Sequence, residues 1–188
     1  MKILLFNREI SDNLINPDNL TLVADSALMH PGNPLFIPDF APDYILDIMP
    51  AAIINRLGKT ISRKFAPRYY SNITFLMRLV PVIDGKPVRN GSAMTTTFDN
   101  AIIQGKPFNL EALPDIFTIK CGELQFTINK SQLHFDQAIE IISRNMTLKI
   151  GDIIATSRLD RSIPAVIDSK IELSSDFTAD DILKFRIK

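Results

Sequence analysis

Three aspartates spaced four residues apart are the most suggestive acidic pattern in this chain. Asp39, Asp43 and Asp47 would share one face of a helix, and grouped carboxylates can bind a hard divalent cation. Pro38 and Pro42 oppose a helix there, because proline lacks the N–H that a helix interior needs. The pattern therefore indicates turns with solvated carboxylates, and by itself it does not predict a metal site.

The two histidines and the single cysteine add little chemistry. His30 lies in a turn-like stretch, and His134 directly precedes the clearest helix, where a capping or surface role is expected. Cys121 lies in a predicted hairpin turn with Lys120 beside it, so an inert thiol is expected in preference to a nucleophile. One cysteine also excludes an intrachain disulfide and is typical of a reducing compartment.

Familiar catalytic and binding motifs are missing from the sequence. There is no Gly-x-Ser-x-Gly elbow, phosphate-binding loop, zinc-ligand spacing or dinucleotide fingerprint. The chain has 7 glycines, which agrees with this, because such sites depend on glycine. No intact catalytic motif can be named.

Composition predicts an ordinary globular protein. The 188 residues are 46% hydrophobic and 22% charged, enough for one domain with a sizeable core. Acids and bases number 21 each and the basic residues are scattered along the sequence, so neither nucleic acid nor an acidic membrane surface is expected as a partner. The apolar run at residues 1–6 is too short for a signal peptide or a membrane span, so a soluble, cytoplasmic protein is expected.

The elements that must position these residues are mostly strands. Strands are expected at residues 2–6, 20–24, 34–38, 73–82, 152–155, 165–173 and 183–187, with hairpin turns at Asp84-Gly85 and Cys121-Gly122-Glu123. Residues 43–54 are also strand-like, but Pro50 cannot donate to a ladder and implies an edge or a bulge. The prediction is one α+β domain, mostly β.

Two helices and one long loop complete the expected organisation. Ile61, Phe65 and Tyr69 are spaced four apart, which predicts a short amphipathic helix weakened by Pro67. An apolar stripe predicts a clear helix over residues 135–146. Residues 7–19 are polar and turn-rich, which predicts a loop or mobile flap. Residues 1–188 are taken as a single domain, with 1–24 as an N-terminal strand and flap.

Several short strings, in a fixed order, resemble the fumarylacetoacetate hydrolase family. They are Asp25-Ser26-Ala27-Leu28, Phe36-Ile37-Pro38-Asp39-Phe40, Arg56-Leu57-Gly58-Lys59, Arg68-Tyr69-Tyr70, Phe98-Asp99, the run from Leu148 to Thr156, and the final Phe185-Arg186-Ile187-Lys188. Each string alone is weak evidence, whereas the ordered set is moderately specific and spans most of the chain.

The resemblance implies a mixed β-roll with short helices and a homodimer. Family members hold Mg²⁺ or Mn²⁺ with the two glutamates of a Glu-x-Glu string and an aspartate on a later strand. They cleave, decarboxylate or isomerise keto acids and β-diketones. A Lys-x-Phe-Asp string and a Thr-Gly-Thr-Pro string line the same pocket, and a histidine and a glutamate of the N-terminal flap activate water in the hydrolases.

Alignment on these strings indicates that the metal ligands are lost. The Glu-x-Glu string falls on Asp47-Ile48-Met49, and the later aspartate falls on Arg78. A thioether is a poor ligand for a hard ion, and an arginine brings positive charge to the ion's place. At about 4 Å and an effective dielectric constant near 20, that repulsion is about 8 kcal/mol against a divalent ion. We predict no cofactor, and a salt bridge between Asp47 and Arg78 in its place.

The other pocket strings are altered as well. Lys-x-Phe-Asp becomes Thr96-Thr97-Phe98-Asp99, without the lysine, and Thr-Gly-Thr-Pro becomes Thr156-Ser157-Arg158-Leu159. The flap has no histidine. Arg158, with Arg161 nearby, could bind a carboxylate or phosphate without a metal. Alternatively, these arginines face solvent or pair with Asp99 or Asp160.

The sequence therefore predicts a pseudoenzyme that serves as a small-carboxylate binder or an interaction partner, paired with itself or with an intact relative. No catalytic residue is named; the ancestral-pocket positions are Asp47, Met49, Arg78, Thr96, Asp99, Thr156 and Arg158. One alternative is a metal-dependent hydrolase, decarboxylase or isomerase of keto acids or acylpyruvates, with oxygens from Asp43, Asp99 and Thr96 near Asp47. Another is a structural remnant. An oxygen cluster would favour the enzyme, an arginine cluster the binder, and a filled apolar pocket the remnant.

Overall fold

The computed structural model describes residues 1–12, 15–29 and 32–188. The strands are β1 Lys2–Phe6, β2 Leu20–Ala24, β3 Asp43–Ile54, β4 Tyr70–Ile83, β5 Lys86–Pro87, β6 Ile102–Gln104, β7 Phe108–Asn109, β8 Ile116–Cys121, β9 Leu124–Asn129, β10 Ile153–Ala155, β11 Ile163–Pro164, β12 Lys170–Ser175 and β13 Leu183–Arg186. The α-helices are α1 Ala93–Thr96 and α2 Phe135–Asn145. Short 3-10 helices span Pro17–Asn19, Asp25–Ala27, Arg63–Tyr69, Leu110–Ala112 and Lys130–Leu133.

These strands form two sheets. The nine-stranded sheet runs β2-β1-β10-β3-β4-β5, with β11 paired to β3 and with β6 and β7 paired to β4. Strands β1 and β10 are parallel, whereas β3 and β4 form a long antiparallel ladder. The four-stranded sheet runs β13-β12-β8-β9. The predicted fold class, α+β and mostly β, is confirmed; that residues 1–188 form one domain stays a prediction.

Both faces of the large sheet are covered by apolar side chains. Leu4 and Phe6 of β1 join the larger core, which also holds the apolar stripe of α2. Ile3 and Leu5 of the same strand join a smaller core on the opposite face, together with Met49 of β3. Alternate residues of a strand point to opposite faces, so Asp47 shares the smaller-core face with Met49.

Strand β3 carries a proline without breaking. It pairs with β4 along its whole length, and the register shifts between Ile53 and Ile54, so the bulge is not at Pro50. On its other side β3 pairs with β11 at Ile45 and Leu46 and with β10 at residues 51–53. Residues 47–50 therefore have a strand partner on one side, which is the local edge that a proline requires.

Several predicted elements are confirmed. Helix α2 begins at Phe135 as predicted and ends at Asn145, one residue early. Asp84 and Gly85 form the turn before β5 with φ values of 52° and 72°, the left-handed conformation of a type I′ hairpin. The second hairpin joins β8 to β9.

Three predicted elements differ from the structure. Residues 34–38 do not form a strand, since the pairing there is an isolated bridge from Leu35 to Ile187; Pro34 and Pro38 lack the N–H groups that a ladder needs. The strand expected from residue 165 begins only at Lys170. The helix expected near residue 65 is a 3-10 helix that contains Pro67. No helix in the described ranges is long and apolar enough to cross a membrane.

Candidate functional site

The ladder of β3 and β4 brings the predicted ligand positions together. Asp47 lies directly opposite Arg78, and Met49 lies opposite Leu76. Asp47 is 2% exposed, Met49 1% and Arg78 1%. The positions that the resemblance assigns to a metal are therefore adjacent on one covered face of the sheet.

Asp47 is bound by two side chains that the sequence analysis missed. Arg89, in the segment after β5, donates from Nε to Asp47 Oδ2 at 2.6 Å and from Nη2 to Oδ1 at 3.0 Å. Ser162, which directly precedes β11, donates its hydroxyl to Oδ1 at 2.5 Å. Arg89 Nη2 also lies 3.1 Å from the Ser162 hydroxyl. A bidentate guanidinium is a strong, directional partner for a carboxylate, so both oxygens of Asp47 are occupied.

The predicted salt bridge between Asp47 and Arg78 is wrong. Arg78 Nη1 donates to Asn7 Oδ1 at 2.5 Å, and Nη2 donates to the Arg89 carbonyl oxygen at 2.7 Å. Within the part of the chain that the structure describes, Arg89 forms an ion pair with Asp47 and Arg78 does not. Arg89 approaches the carboxylate from a loop and can present its planar fork, so it replaces the cross-strand neighbour as partner.

Burial sets the electrostatics of this cluster. Burial lowers the pKa of Arg78 to about 10, an effect that the Asp47 carboxylate opposes and the Arg89 guanidinium reinforces. The cluster thus holds two guanidinium groups and one carboxylate. This balance is the opposite of a divalent-metal site, which needs an excess of anionic oxygen.

The N-terminal segment closes over the cluster. Asn7 accepts from Arg78 and donates to the Thr21 hydroxyl at 2.7 Å. Arg8 donates from Nε to the Thr156 carbonyl at 2.8 Å, and Glu9 forms an ion pair with Arg158. Of the predicted flap, residues 8–10 are therefore bonded to Thr156 and Arg158, while Asn13 and Leu14 lie outside the described residues.

The remaining pocket positions do not reach Asp47. The Thr96 hydroxyl lies in α1 and donates to the Ser92 carbonyl at 3.0 Å. The Thr156 hydroxyl donates to the Leu133 carbonyl at 2.5 Å. Asp99 is exposed. In the described ranges no three His, Cys, Asp or Glu side chains come together as a metal site.

The two arginines near the pocket mouth have local partners. Arg158 pairs with Glu9, which was not among its predicted partners. Arg161 lies 3.8 Å from Asp160 and stacks over Phe126, with 5.1 Å from its Cζ to the ring centroid. Of the two alternatives, local pairing describes both arginines.

The donor set does not fit the Mg²⁺ or Mn²⁺ that the resemblance implies. Both oxygens of Asp47 already accept hydrogen bonds, Met49 offers a soft thioether, and Arg78 carries positive charge. Hard divalent ions need several oxygen ligands. These three positions cannot supply them.

The histidines and the cysteine do not supply alternative chemistry. His134 lies at the N-cap of α2 without a side-chain capping bond, and burial, then Arg8 and Arg63, lower its pKa. Burial raises the pKa of the Cys121 thiol to about 11, so it is protonated at neutral pH and a poor nucleophile. His30 lies outside the described residues.

Sequence reasoning had no signal for Arg89 or Ser162. They lie 42 and 115 residues from Asp47 in the chain, and neither belongs to a string of the resemblance. For Asn7 the sequence predicts only a place in a polar loop. Its bond to Arg78 joins the end of β1 to β4, which are separated by β10 and β3 in the sheet, and a local pattern does not reveal such a contact.

The same architecture occurs in solved structures. A protein from Yersinia pestis CO92, described as belonging to the fumarylacetoacetate hydrolase family, has a TM-score of 0.79 to this chain, covering 100% of this chain and 93% of that one at 15% identity. The chain has the fumarylacetoacetate hydrolase fold. The resemblance seen in the strings is thus confirmed at the level of the fold.

Enzymes are among the proteins with the fumarylacetoacetate hydrolase fold. Maleylpyruvate hydrolase from Sphingobium sp. SYK-6, in complex with manganese(II) ion and pyruvate, has a TM-score of 0.76 at 20% identity, covering 99% of this chain and 69% of that one. The 2-hydroxyhepta-2,4-diene-1,7-dioate isomerase from Mycobacterium marinum has a TM-score of 0.81 at 16% identity, covering 99% of this chain and 73% of that one. No family sequence model and no curated protein matches the chain.

Proposed function

We propose that this chain is a diverged member of the fumarylacetoacetate hydrolase family that holds no catalytic metal and works as a non-catalytic interaction protein. The observation that carries the proposal is the bidentate bond from Arg89 to Asp47, completed by Ser162. A protein guanidinium neutralises the carboxylate that an ion would otherwise neutralise.

Energetics support this assignment. An ion entering beside Asp47 would have to displace Arg89 and would still face Arg78 across the ladder. At about 4 Å and an effective dielectric constant near 20, the repulsion between a divalent ion and one guanidinium is about 8 kcal/mol. The attraction of the one remaining carboxylate does not offset both this repulsion and the free-energy cost of removing water from the ion.

The alternative function is a metal-dependent hydrolase, decarboxylase or isomerase of keto acids. It is favoured by the named activities of structures with this fold, a maleylpyruvate hydrolase and two isomerases among them. It is opposed by the donor set at Asp47, Met49 and Arg78. Structural similarity at or below 20% sequence identity supports a shared fold and not a shared function. The side chains of this chain are therefore the stronger evidence for its function.

A small carboxylate is a weaker candidate ligand for the same cluster. It would have to displace Asp47 from Arg89, or Asn7 from Arg78, because those donors are already bound. Arg78 is buried and Arg89 is 21% exposed, and both guanidinium groups already donate to acceptors of the protein. An interaction role is therefore proposed ahead of a binding role at this site. The resemblance implies a homodimer. This stays a prediction, and light scattering would test it.

The test is a titration of metal-stripped protein with Mn²⁺ and Mg²⁺, followed by calorimetry and by the thermal unfolding midpoint. A ligand that binds the folded state at 100 times its dissociation constant stabilises it by about 2.7 kcal/mol. The expected result is no saturable heat and no shift at millimolar metal. Saturable binding at micromolar concentration would contradict the proposal, especially if Asp47→Asn abolished it.

A restored-ligand variant provides the positive control. Asp47→Glu, Met49→Glu, Arg78→Asp and Arg89→Ala together rebuild three carboxylates and remove the competing fork. Binding of Mn²⁺ by this variant, with none by the parent or by the matched Met49→Leu variant, is the expected pattern. Turnover of an acylpyruvate is measured on the same samples. Metal-dependent turnover by the parent chain would favour the alternative function, whether or not the restored variant folds.

A further inference from the structure

A long stretch of this neutral chain contains no acid. Between residues 48 and 83 there is no aspartate or glutamate, although Asp47 and Asp84 flank the stretch. The exposed cations within it are Arg56, Lys59, Arg63, Lys64 and Arg68. Local charge is therefore strongly positive even though the whole chain balances.

The fold joins this stretch to the end of α2 and the segment that follows. Gly58 and Leu148 exchange backbone hydrogen bonds of 3.0 and 2.8 Å, and the Thr60 N–H donates to the Ser143 carbonyl at 2.7 Å. Exposed Arg144 and Lys149 thereby join the five cations. We call these seven residues the basic surface: Arg56, Lys59, Arg63, Lys64, Arg68, Arg144 and Lys149.

Little negative charge offsets the basic surface. In residues 55–69 and 137–151 the only acid is Glu140. It lies 3.5 Å from Arg63 and 3.6 Å from Arg144. Asp136, just outside these ranges, is half-buried and also interacts electrostatically with Arg63. Seven cations against these two carboxylates leave an excess of positive charge, and basic residues that are scattered along the sequence lie on one part of the surface.

Two large aliphatic side chains protrude within the basic surface. Leu57 is 62% exposed and Ile150 is 71% exposed. They flank the Gly58–Leu148 bridge from its two segments. Neither side chain packs into the protein, and exposed apolar groups among cations are the composition of a surface that contacts lipid headgroups and the upper acyl region.

We propose that the basic surface docks on an anionic lipid bilayer. The cations bind lipid phosphates, and Leu57 and Ile150 insert at the boundary of headgroups and acyl chains. Basic clusters beside a membrane gain attraction from each lysine or arginine, and the gain falls as salt screens it. The proposal is independent of the metal site and would stand if that site bound an ion.

Self-association through this surface is disfavoured by its charge. In a two-fold dimer the same patch meets itself, so seven cations would face seven cations. Like charges brought together at an interface oppose association. A second copy of this chain is therefore not the occupant.

A nucleic acid fits less well than a bilayer. Binding of single strands relies on aromatic faces for base stacking. The Phe65 ring has Lys64 Nζ at 4.8 Å and Arg68 Cζ at 4.9 Å from its centroid, and Arg56 lies over Tyr69 at 6.0 Å. These faces are already occupied by cations, and the groups that protrude, Leu57 and Ile150, cannot stack.

The first experiment is sedimentation of the full chain with vesicles of phosphatidylcholine, with and without about 30% phosphatidylglycerol, at low salt. Lys59→Gln/Lys64→Gln is expected to weaken binding about 25-fold, at about fivefold for each cation removed. The matched control is Lys86→Gln/Lys120→Gln, which removes two exposed lysines elsewhere and should change binding less than about twofold.

The second experiment reads insertion directly. The chain has no tryptophan, so Leu57→Trp and Ile150→Trp each introduce a sole indole reporter. Its emission is expected to shift to shorter wavelength on addition of the anionic vesicles. Ile116→Trp, at a comparably exposed position of β8, should show no shift.

Several results would overturn the proposal. They are equal binding to neutral and anionic vesicles, an equal loss of binding in the lysine control, and tighter binding to a single-stranded RNA oligonucleotide than to vesicles at the same salt. The last result would assign the surface to nucleic acid. Absence of binding to anionic vesicles at low salt would also reject it.

Discussion

The protein has two groups of positively charged side chains, one bound by fixed partners within the protein and one exposed to solvent. Arg78, which is buried, and Arg89, which is 21% exposed, are bound by Asp47, Asn7 and a carbonyl, whereas the seven cations of the basic surface are exposed and have two carboxylates near them, Glu140 and Asp136. A buried charge needs a fixed partner, because its desolvation is not otherwise offset. An exposed charge needs none and stays available to a partner. The difference separates residues that hold the fold from residues that can act on other molecules.

The largest expected effect is the loss of stability when the Asp47 cluster is disrupted. Asp47→Asn keeps the side-chain shape but leaves the buried Arg78 and the partly buried Arg89 without a counter-charge. We expect a loss of about 3 kcal/mol in the free energy of unfolding, since removing one partner of a buried pair costs roughly 3 to 5. Urea denaturation measures it. The matched control, Asp99→Asn at an exposed position, should change stability by less than about 0.5 kcal/mol.

A second prediction extends the comparison to a buried group that stays neutral. Burial raises the pKa of Cys121 to about 11 from an ordinary value of 9.0, so the unfolded thiol ionises first as pH rises. The stability from the neutral thiol is complete below pH 9 and is lost between about pH 9 and 11, by about 2 kcal/mol at pH 10.5. Unfolding of the parent and of Cys121→Ala at pH 7.5 and 10.5 provides the test, and the parent should lose more. Equal losses would mean that the thiol titrates normally.

The smallest expected effect is the change in stability when two lysines of the basic surface are replaced. Lys59→Gln/Lys64→Gln should change the free energy of unfolding by less than about 0.5 kcal/mol, with any gain confined to low salt, where repulsion among the cations is least screened. The same variant is expected to lose vesicle binding. A loss of stability above about 1 kcal/mol would show that these lysines hold the fold, and the contrast between the two groups would disappear.

Local patterns predicted the scaffold of the site. The strands β3 and β4, the Asp84-Gly85 hairpin and helix α2 follow from strand-like composition, turn chemistry and an apolar stripe, which act over a few residues. The ordered strings put Asp47 opposite Arg78, as the ladder has them. What failed was the segment at 34–38, where strand-like residues lie between prolines that cannot sustain a ladder.

Contacts between distant segments were beyond a local pattern. Arg89 and Ser162 reach Asp47 only because the segment after β5 and the segment before β11 fold back on β3. The basic surface has the same origin, since Lys149 joins the run at 56–68 through the Gly58–Leu148 bridge. Neither group could be predicted from a local pattern, because its residues lie far apart in the sequence.

The most direct measurement of the central claim, that Arg89 takes the place of a metal at Asp47, is a double-mutant cycle in urea denaturation. It compares Asp47→Asn, Arg89→Gln and the double variant, with Arg78→Gln as a parallel arm. We expect a coupling of at least about 2 kcal/mol between Asp47 and Arg89, and a smaller one between Asp47 and Arg78. A coupling below about 0.5 kcal/mol between Asp47 and Arg89, or a larger one to Arg78, would contradict the claim.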